Sequence, residues 1–237
     1  MRVLVIPDVH LKPWMFKKAD EIIKEKNIDQ VVCLMDIPDD WNQGYNIQLY
    51  EETYAEACRF AKEHPDSLWC YGNHDLSYRW MKLESGFSFS AESVANRGLH
   101  ELEYSVKDPS QFKYIHRIDN VLFMHGGLSD DFVRTNVRSA DYNDPDKVIE
   151  QINALGEDIM WQNGSPLWLR PQHRDLRMYK PRKLLQVVGH TPMTGIEREG
   201  NIISCDLFST YPDHIPAGTQ EFLVIDTMSW EYEKVKE

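Results

Sequence analysis

Ser67-Leu68-Trp69-Cys70-Tyr71-Gly72-Asn73-His74-Asp75 is an apolar run that stops at a glycine and gives way to an amide, an imidazole and a carboxylate. A strand ending in such a turn presents polar side chains at its carboxyl edge, where α/β proteins place ligand sites. The amide offers a neutral oxygen to a hard or borderline cation. The imidazole can carry a proton near neutral pH. Alone, Asn-His-Asp is more often an ordinary polar turn. The reading turns on whether other strand ends bring matching chemistry to the same place.

Four do. Arg2 to Ile6 is a short β-branched run closed by Pro7 and followed by Asp8-Val9-His10. Met15 to Lys26 spaces Phe16, Ala19, Ile22 and Ile23 as an amphipathic helix. A second buried strand, Gln30 to Met35, then ends in Asp36-Ile37-Pro38-Asp39-Asp40, completing a right-handed βαβ unit. Gln48 to His64 reads as another helix, with Leu49, Tyr54, Ala57, Cys58 and Ala61 on one face. Asn120 to Met124 ends in His125-Gly126-Gly127-Leu128, and Leu184 to Val188 ends in Gly189-His190-Thr191-Pro192. Between residues 76 and 113 the period fades, which predicts an insertion with short helices over one side of the site. Phe112 to Ile118 reads as an edge strand, and helical, acidic material fills 130–164, notably Asp146 to Gly156. The tail (Ile202–Cys205, Phe222–Asp226, Trp230–Lys234) alternates as an antiparallel meander.

Adjacent strands lie about 4.8 Å apart, so five such ends can converge on a small volume. Two carboxylates, three imidazoles and an amide oxygen suit a borderline metal pair such as Mn, Fe or Zn better than Ca or Mg alone. Composition agrees with a single α/β unit: 237 residues, 42% apolar and 27% charged. A formal net charge of −12 argues against general binding to nucleic acid or anionic membrane. Cys33, Cys58, Cys70 and Cys205 form no CxxC pair and sit mostly in apolar runs, as buried thiols of a reducing compartment do. The first apolar run is too short for a signal peptide or membrane span, so a cytoplasmic protein is expected.

With the motifs in hand, the chain resembles the calcineurin-like metallophosphoesterases. The blocks stand as Asp8-Val9-His10, Met35-Asp36-Ile37-Pro38-Asp39, Gly72-Asn73-His74-Asp75, His125-Gly126-Gly127-Leu128-Ser129 and Gly189-His190-Thr191. His-Gly-Gly-Leu-Ser, and Thr-Pro after Gly189-His190, are similar to the phosphoprotein-phosphatase branch. That branch includes bacterial and phage protein phosphatases and diadenosine tetraphosphatases. The resemblance implies an α/β fold: a β-sandwich of two mixed sheets flanked by helices (α/β/β/α). One domain would cover 1–237, with an insertion or cap around 77–115.

It also implies that Asp8, His10 and Asp36 hold a first metal, with Asp36 bridging to a second completed by Asn73, His125 and His190. No second histidine follows His190, so a water is expected to complete the first metal. Mn is favoured, with Fe or Zn as alternatives. Two metals would lower the pKa of a shared water and deliver hydroxide in line to phosphorus. His74 would protonate the leaving oxygen and Asp39 would orient it; Asp75 reads as a cap.

Two departures bear on the substrate. Met35 replaces the usual glycine before Asp36, as a strand tolerates. Asp40-Trp41 stands where protein phosphatases carry Arg-Gly, so a bidentate phosphate contact is missing. Arg170 is the replacement candidate for substrate binding. The basic stretch 170–183 (Arg170, Arg174, Arg177, Lys180, Arg182, Lys183) offers contacts to further phosphates, though a solvated face is the commoner use of such a run. Trp14, Trp41, Tyr45 and Trp80 are candidates to stack on a substrate ring, although core packing is the commoner use.

The leading expectation is a phosphomonoesterase of protein Ser/Thr phosphatase type, acting on a phosphorylated substrate, either phosphoprotein or nucleotide. A phosphoanhydride or phosphodiester hydrolase, for a dinucleoside polyphosphate or cyclic nucleotide, is second. A non-catalytic scaffold is third, disfavoured because His74 and all the inferred ligands remain.

Overall fold

Every residue from Val3 to Ile6 is buried, so strand β1 (Arg2–Ile6) has no solvent face and lies between two layers. The computed structural model describes residues 1–173 and 175–236; Arg174 of the basic stretch lies outside the described residues. Helix α1 (Trp14–Lys26) buries Met15, Phe16, Ala19 and Ile22, one stripe at helical spacing, and ends at Asn27 in the left-handed conformation. Strand β2 (Gln30–Cys33) runs parallel to β1, and α2 (Ile47–Glu63) buries Tyr50, Tyr54, Ala57 and Ala61. Strand β3 (Leu68–Cys70) leads into α3 (Asn73–Trp80), and α4 (Glu92–Glu103) packs on α2.

Strands β4 (Phe112–Lys113), β5 (Ile115–Ile118) and β6 (Val121–Met124) follow. Helices α5 (Asp130–Asn136), α6 (Pro145–Asn153) and α7 (Glu157–Met160) come next, and then strand β7 (Leu185–Val188). Strands β8 (Glu197–Glu199), β9 (Ile202–Ser204), β10 (Glu221–Asp226) and β11 (Tyr232–Lys236) complete the chain.

The first sheet has the order β11-β10-β1-β2-β3-β4 and the second β5-β6-β7-β9-β8; both are mixed. Alternation along the second sheet fixes the layers. Val121, Phe123, Leu185, Val187 and Ile203 share a core with the first sheet, α1, α2 and α4. Leu122, Met124 and Val188 face a second core built with Phe132, Val133, Val148 and Ile152 of α5 and α6. The result is the expected α/β/β/α sandwich. The four cysteines are buried and unpaired, and no described helix is long and apolar enough to cross a membrane.

Three local expectations change. Phe112 to Ile118 is not one edge strand: β4 closes the first sheet and β5 the second. The switch occurs at Tyr114, where Asn153 of α6 replaces the ladder, its Oδ1 accepting from Tyr114 N and Ile115 N at 3.0 Å each. The tail is not a meander, because β9 pairs in parallel with β7 while the β10–β11 hairpin joins the first sheet. Alternation marks these strands but does not choose their partners. Met35 lies beyond β2, not within it, and takes φ +59, a left-handed conformation that favours glycine.

Candidate metal centre

The loops leaving β1 and β2 run side by side. Val9 N, His10 N and Leu11 N donate to Met35 O, Asp36 O and Ile37 O at 3.0, 2.8 and 3.0 Å, which sets Asp8 and His10 against Asp36. His10, Asp36, Asp39 and His190 have positive φ, so several site residues sit in strained backbone. Two glycines make room. A Cβ on Gly72 would lie 2.0 Å from Asp36 Oδ1, and one on Gly189 would lie 2.1 Å from Asp8 Oδ2. Just past each glycine, a backbone N–H turns onto the carboxylate: His74 N donates to Asp36 Oδ1 at 2.9 Å and His190 N to Asp8 Oδ1 at 2.8 Å.

Asp36 Oδ2, Asn73 Oδ1 and His190 Nδ1 surround His125 Nε2 at 3.1, 3.0 and 3.1 Å. Leu34 O lies 3.1 Å from His125 Nδ1, which orients that N–H and turns Nε2 toward the cluster, where its lone pair would serve a metal in place of a proton. Asp39 O does the same for His10, 2.9 Å from Nδ1, and His10 Nε2 points at Asp36 Oδ2 from 3.9 Å. All six residues expected as metal ligands therefore converge, and all but His10 are buried. Asp8 Oδ2 and His190 Nε2 are buried without any hydrogen-bond partner among the described residues. Orphaned donors and acceptors of this kind are costly unless a cation or water joins them. The residues fit a metal pair.

The electrostatics point the same way. Burial would raise Asp36, but the His125, His74 and His10 imidazoles outweigh it and hold the carboxylate well below its usual range. Burial and then the charge of Asp206 push Asp8 well up. His125 is lifted to about 9: burial opposes its charge, but Asp36 and Asp8 outweigh that. Burial, then His125 and Arg170, depress His190. Buried acids pressed against one another call for positive charge between them.

His74 opens the reactive side. Its Nδ1 lies 2.9 Å from Asp39 Oδ2 and 3.0 Å from Glu84 Oε1. Burial disfavours the imidazolium, but Asp36 and these two adjacent carboxylates overcome it and raise the pKa well above the usual value. Tyr50 and Tyr78 hydroxyls donate to Asp39 Oδ1, fixing the carboxylate that fixes the histidine. Glu84 comes from the loop after α3, where sequence periodicity is silent. Asp75, read as a cap, does more: it accepts from Gly72 N at 3.1 Å but also from Asp36 N and Ile37 N at 2.9 and 3.1 Å. It ties β3's end to β2's.

A cavity of about 560 Å³ opens over His10, Asp36, His74 and His190. Arg170 reaches it because Gly126 N and Gly127 N hold the backbone at Pro166 and Leu169. Arg170 Nη1 donates to His190 O. Of the basic stretch, Arg170 alone among the described residues lines the cavity. Asp40, at the missing arginine, accepts from Lys12 Nζ at 3.0 Å and from the Thr210 hydroxyl. The acid's charge is matched inside the wall. Trp41 lines the cavity. Trp14 instead packs on Phe208 and Trp80 on Trp161, while Tyr45 is exposed outside it. Asp206 also lines the cavity, and sequence reading passed over it: a carboxylate oxygen there lies within 4.8 Å of donors from Asp8 and His10.

A sandwich whose strand ends gather carboxylates, imidazoles and an amide under one cavity is the architecture of a metal-dependent hydrolase. The chain belongs to the calcineurin-like phosphoesterase family, whose profile matches residues 1–213. The family comprises dinuclear-metal-dependent hydrolases of phosphoester bonds. Among solved structures, a cold-active protein-tyrosine phosphatase of a psychrophilic Shewanella species is similar in fold, with TM-score 0.59 and 15% identity. That match covers 99% of this chain and 80% of that one. A second structure of a cold-active protein tyrosine phosphatase gives TM-score 0.53 and 17% identity over 100% and 79% of the two chains. A Thermus thermophilus protein gives 0.50 and 10% identity over 99% and 98%. No curated protein matches the sequence.

Proposed function

We propose that this chain is a dinuclear-metal phosphomonoesterase acting on phosphoproteins, in the manner of the phosphoprotein-phosphatase branch. The observation that carries the reading is His74, kept protonated by Asp39 and Glu84 at 2.9 and 3.0 Å and facing the same cavity as the donor cluster. A poised acid beside a metal centre is what departure of an alkoxide from phosphorus requires.

Asp8, His10 and Asp36 would hold the first metal, and Asp36, Asn73, His125 and His190 the second, with manganese favoured over iron or zinc. Bound there, the metals would supply a water of lowered pKa and neutralise phosphoryl charge. The chain's own groups do the rest. Arg170, held by His190 O, turns its remaining N–H groups to the phosphoryl oxygens. His74 passes its proton to the leaving oxygen while Asp39 and Glu84 keep the ring oriented. Residues 1–237 form one domain, with 77–115 as a cap delivering Glu84. Four buried, unpaired thiols fit the reducing cytoplasm.

A second reading, hydrolysis of a phosphodiester or phosphoanhydride, draws on the cavity wall. Asp39, Asp40, Glu84 and Asp206 line it against Arg170, the one arginine there among the described residues. A monoanionic diester meets less repulsion there than a monoester dianion. Manganese-loaded protein separates the two. Turnover of p-nitrophenyl phosphate and of phosphoserine or phosphothreonine peptides, exceeding that of bis-p-nitrophenyl phosphate and dinucleoside tetraphosphate, supports the first. The reverse order sinks it. Phosphotyrosine peptide belongs in the panel because Trp41 and Phe87 on the wall suit an aryl group.

A further inference from the structure

We infer that Asp206 is a direct ligand of the first metal, filling by protein the position expected to hold only water. The inference rests on the dinuclear centre proposed above.

The fold explains how a residue so distant in sequence arrives there. Cys205 N donates to Val188 O at 2.9 Å, prolonging the parallel pairing of β9 with β7 by one residue. The chain therefore leaves β9 beside the point where it leaves β7 for His190. Asp206 is the first residue past that bond, and Met193 N donates to its carbonyl at 2.8 Å.

Charge makes the case for a ligand. Asp206 is 1% exposed, yet it has no ion pair among the described residues. Lys12, which feels the Asp206 charge, is spent on Asp40 at 3.0 Å, and Arg170 donates to His190 O. Asp206's side chain receives only Ser209: the hydroxyl at 2.8 and 3.0 Å and the amide at 3.4 Å. Those neutral donors shape a local turn. Arg170 and Lys12 lie within reach of the Asp206 charge, yet neither makes an ion pair with it. A buried carboxylate is thus left without a direct cationic partner, which proteins avoid. The independent sign is Asp8. It is fully buried, its Oδ1 is taken by His190 N, and its Oδ2 has no partner. Asp8, His10 and Asp206 each bring a donor atom to within 4.8 Å of the others, with the His10 Nδ1 proton directed to Asp39 O. Two oxygens and an imidazole nitrogen around one gap form a borderline-metal donor set.

The test reads metal binding, without substrate, on full-length protein. Apo wild type, Asp206→Asn and Ser209→Ala are titrated with Mn²⁺ by calorimetry, and the loaded proteins are examined by electron paramagnetic resonance. Loss of an outer partner alone costs roughly 10–100-fold in metal affinity. Asp206→Asn is therefore expected to weaken the first site by about 100-fold or more, retain the second site, and lose the spin-coupled pair signal for that of a single ion. Ser209→Ala, which keeps the carboxylate, should keep both sites. If Asp206 only shapes the turn, the two variants will match each other and wild type in Mn²⁺ affinity, and the inference falls. Should Asp206→Asn fail to fold, the manganese anomalous map of wild-type crystals decides: a carboxylate oxygen of Asp206 in coordination contact sustains the assignment, and a water in its place overturns it. A wild type that binds no metal pair defeats the dinuclear reading itself, a distinct outcome.

Discussion

Asp39 meets His74 with one carboxylate oxygen, Oδ2 at 2.9 Å from Nδ1, because its other oxygen is held by the hydroxyls of Tyr50 and Tyr78. The histidine's orientation is thereby fixed three elements deep, from α2 and α3 through the β2 loop. His74→Asn removes the proposed proton donor and no proposed ligand. It is expected to lower kcat by roughly 10²–10⁴-fold, the usual worth of a general acid, while two metals stay bound by elemental analysis. A metal-depleted His74→Asn protein would reassign His74 as a ligand.

Gly189→Ala tests the close approach behind His190. A methyl there meets Asp8 Oδ2 at 2.1 Å and displaces a buried, proposed ligand rather than a flexible chain end. Overpacking of this kind costs about 1–3 kcal/mol. The variant should unfold at lower denaturant concentration and bind Mn²⁺ more weakly. Unchanged metal affinity would place Asp8 outside the centre.

His116 predicts an acid sensitivity outside the cavity over the donor cluster. It is buried, with Nε2 placed 2.9 Å from Gln111 O and 3.2 Å from Trp69 O, so it is held neutral with its proton on Nε2. Burial, then Lys113, lowers its pKa from 6.5 to about 4. The unfolded chain takes up the proton first. Stability from this group is therefore full above about pH 6.5, lost as pH falls from there through 4, and constant below. The total is about 3 kcal/mol. Denaturation between pH 4 and 8 should show a smaller acid loss for His116→Gln than for wild type; parallel curves would refute the assignment.

Met35 sits where relatives of the motif carry glycine. Its left-handed backbone (φ +59) is strained by roughly 1–2 kcal/mol, but its side chain is wholly buried, and truncating a core methionine costs about 2–5 kcal/mol. Met35→Gly should therefore destabilise by about 1–3 kcal/mol net, measured by urea denaturation. A stabilised variant would mean that the side chain contributes little packing.

The six strand-end donors, His74 and Asp39 were legible because each follows an apolar run, and parallel strands bring their carboxyl ends together whatever their order. Asp206 was not. It lies after β9, and alternation says only that β9 is a strand, not that it aligns in parallel with β7. Glu84 was hidden for a different reason: it stands in a loop without period, placed by the packing of Phe87 on Tyr78. The pairing of Asp40 with Lys12 joins residues 28 apart through two loops and left no local mark. What sequence spacing conveys well is the end of a strand. What it conveys poorly is which neighbour that strand will choose.

The donors are divided between the sheets. Asp8, His10, Asp36 and Asn73 follow strands of the first, His125, His190 and Asp206 strands of the second. The proposed first set, Asp8, His10 and Asp36, comes from the first sheet until Asp206 joins it, whereas the second set draws on both sheets. A nascent chain that has formed β1 to β3 can offer carboxylates and an amide, but only one of the three imidazoles, and no closed cage. Under the proposed assignment, capture of the second metal would wait until β6 and β7 have docked, a late event along the chain. Ions held by the proposed second set would tie the two sheets together, so release of metal and parting of the sandwich would be thermodynamically linked.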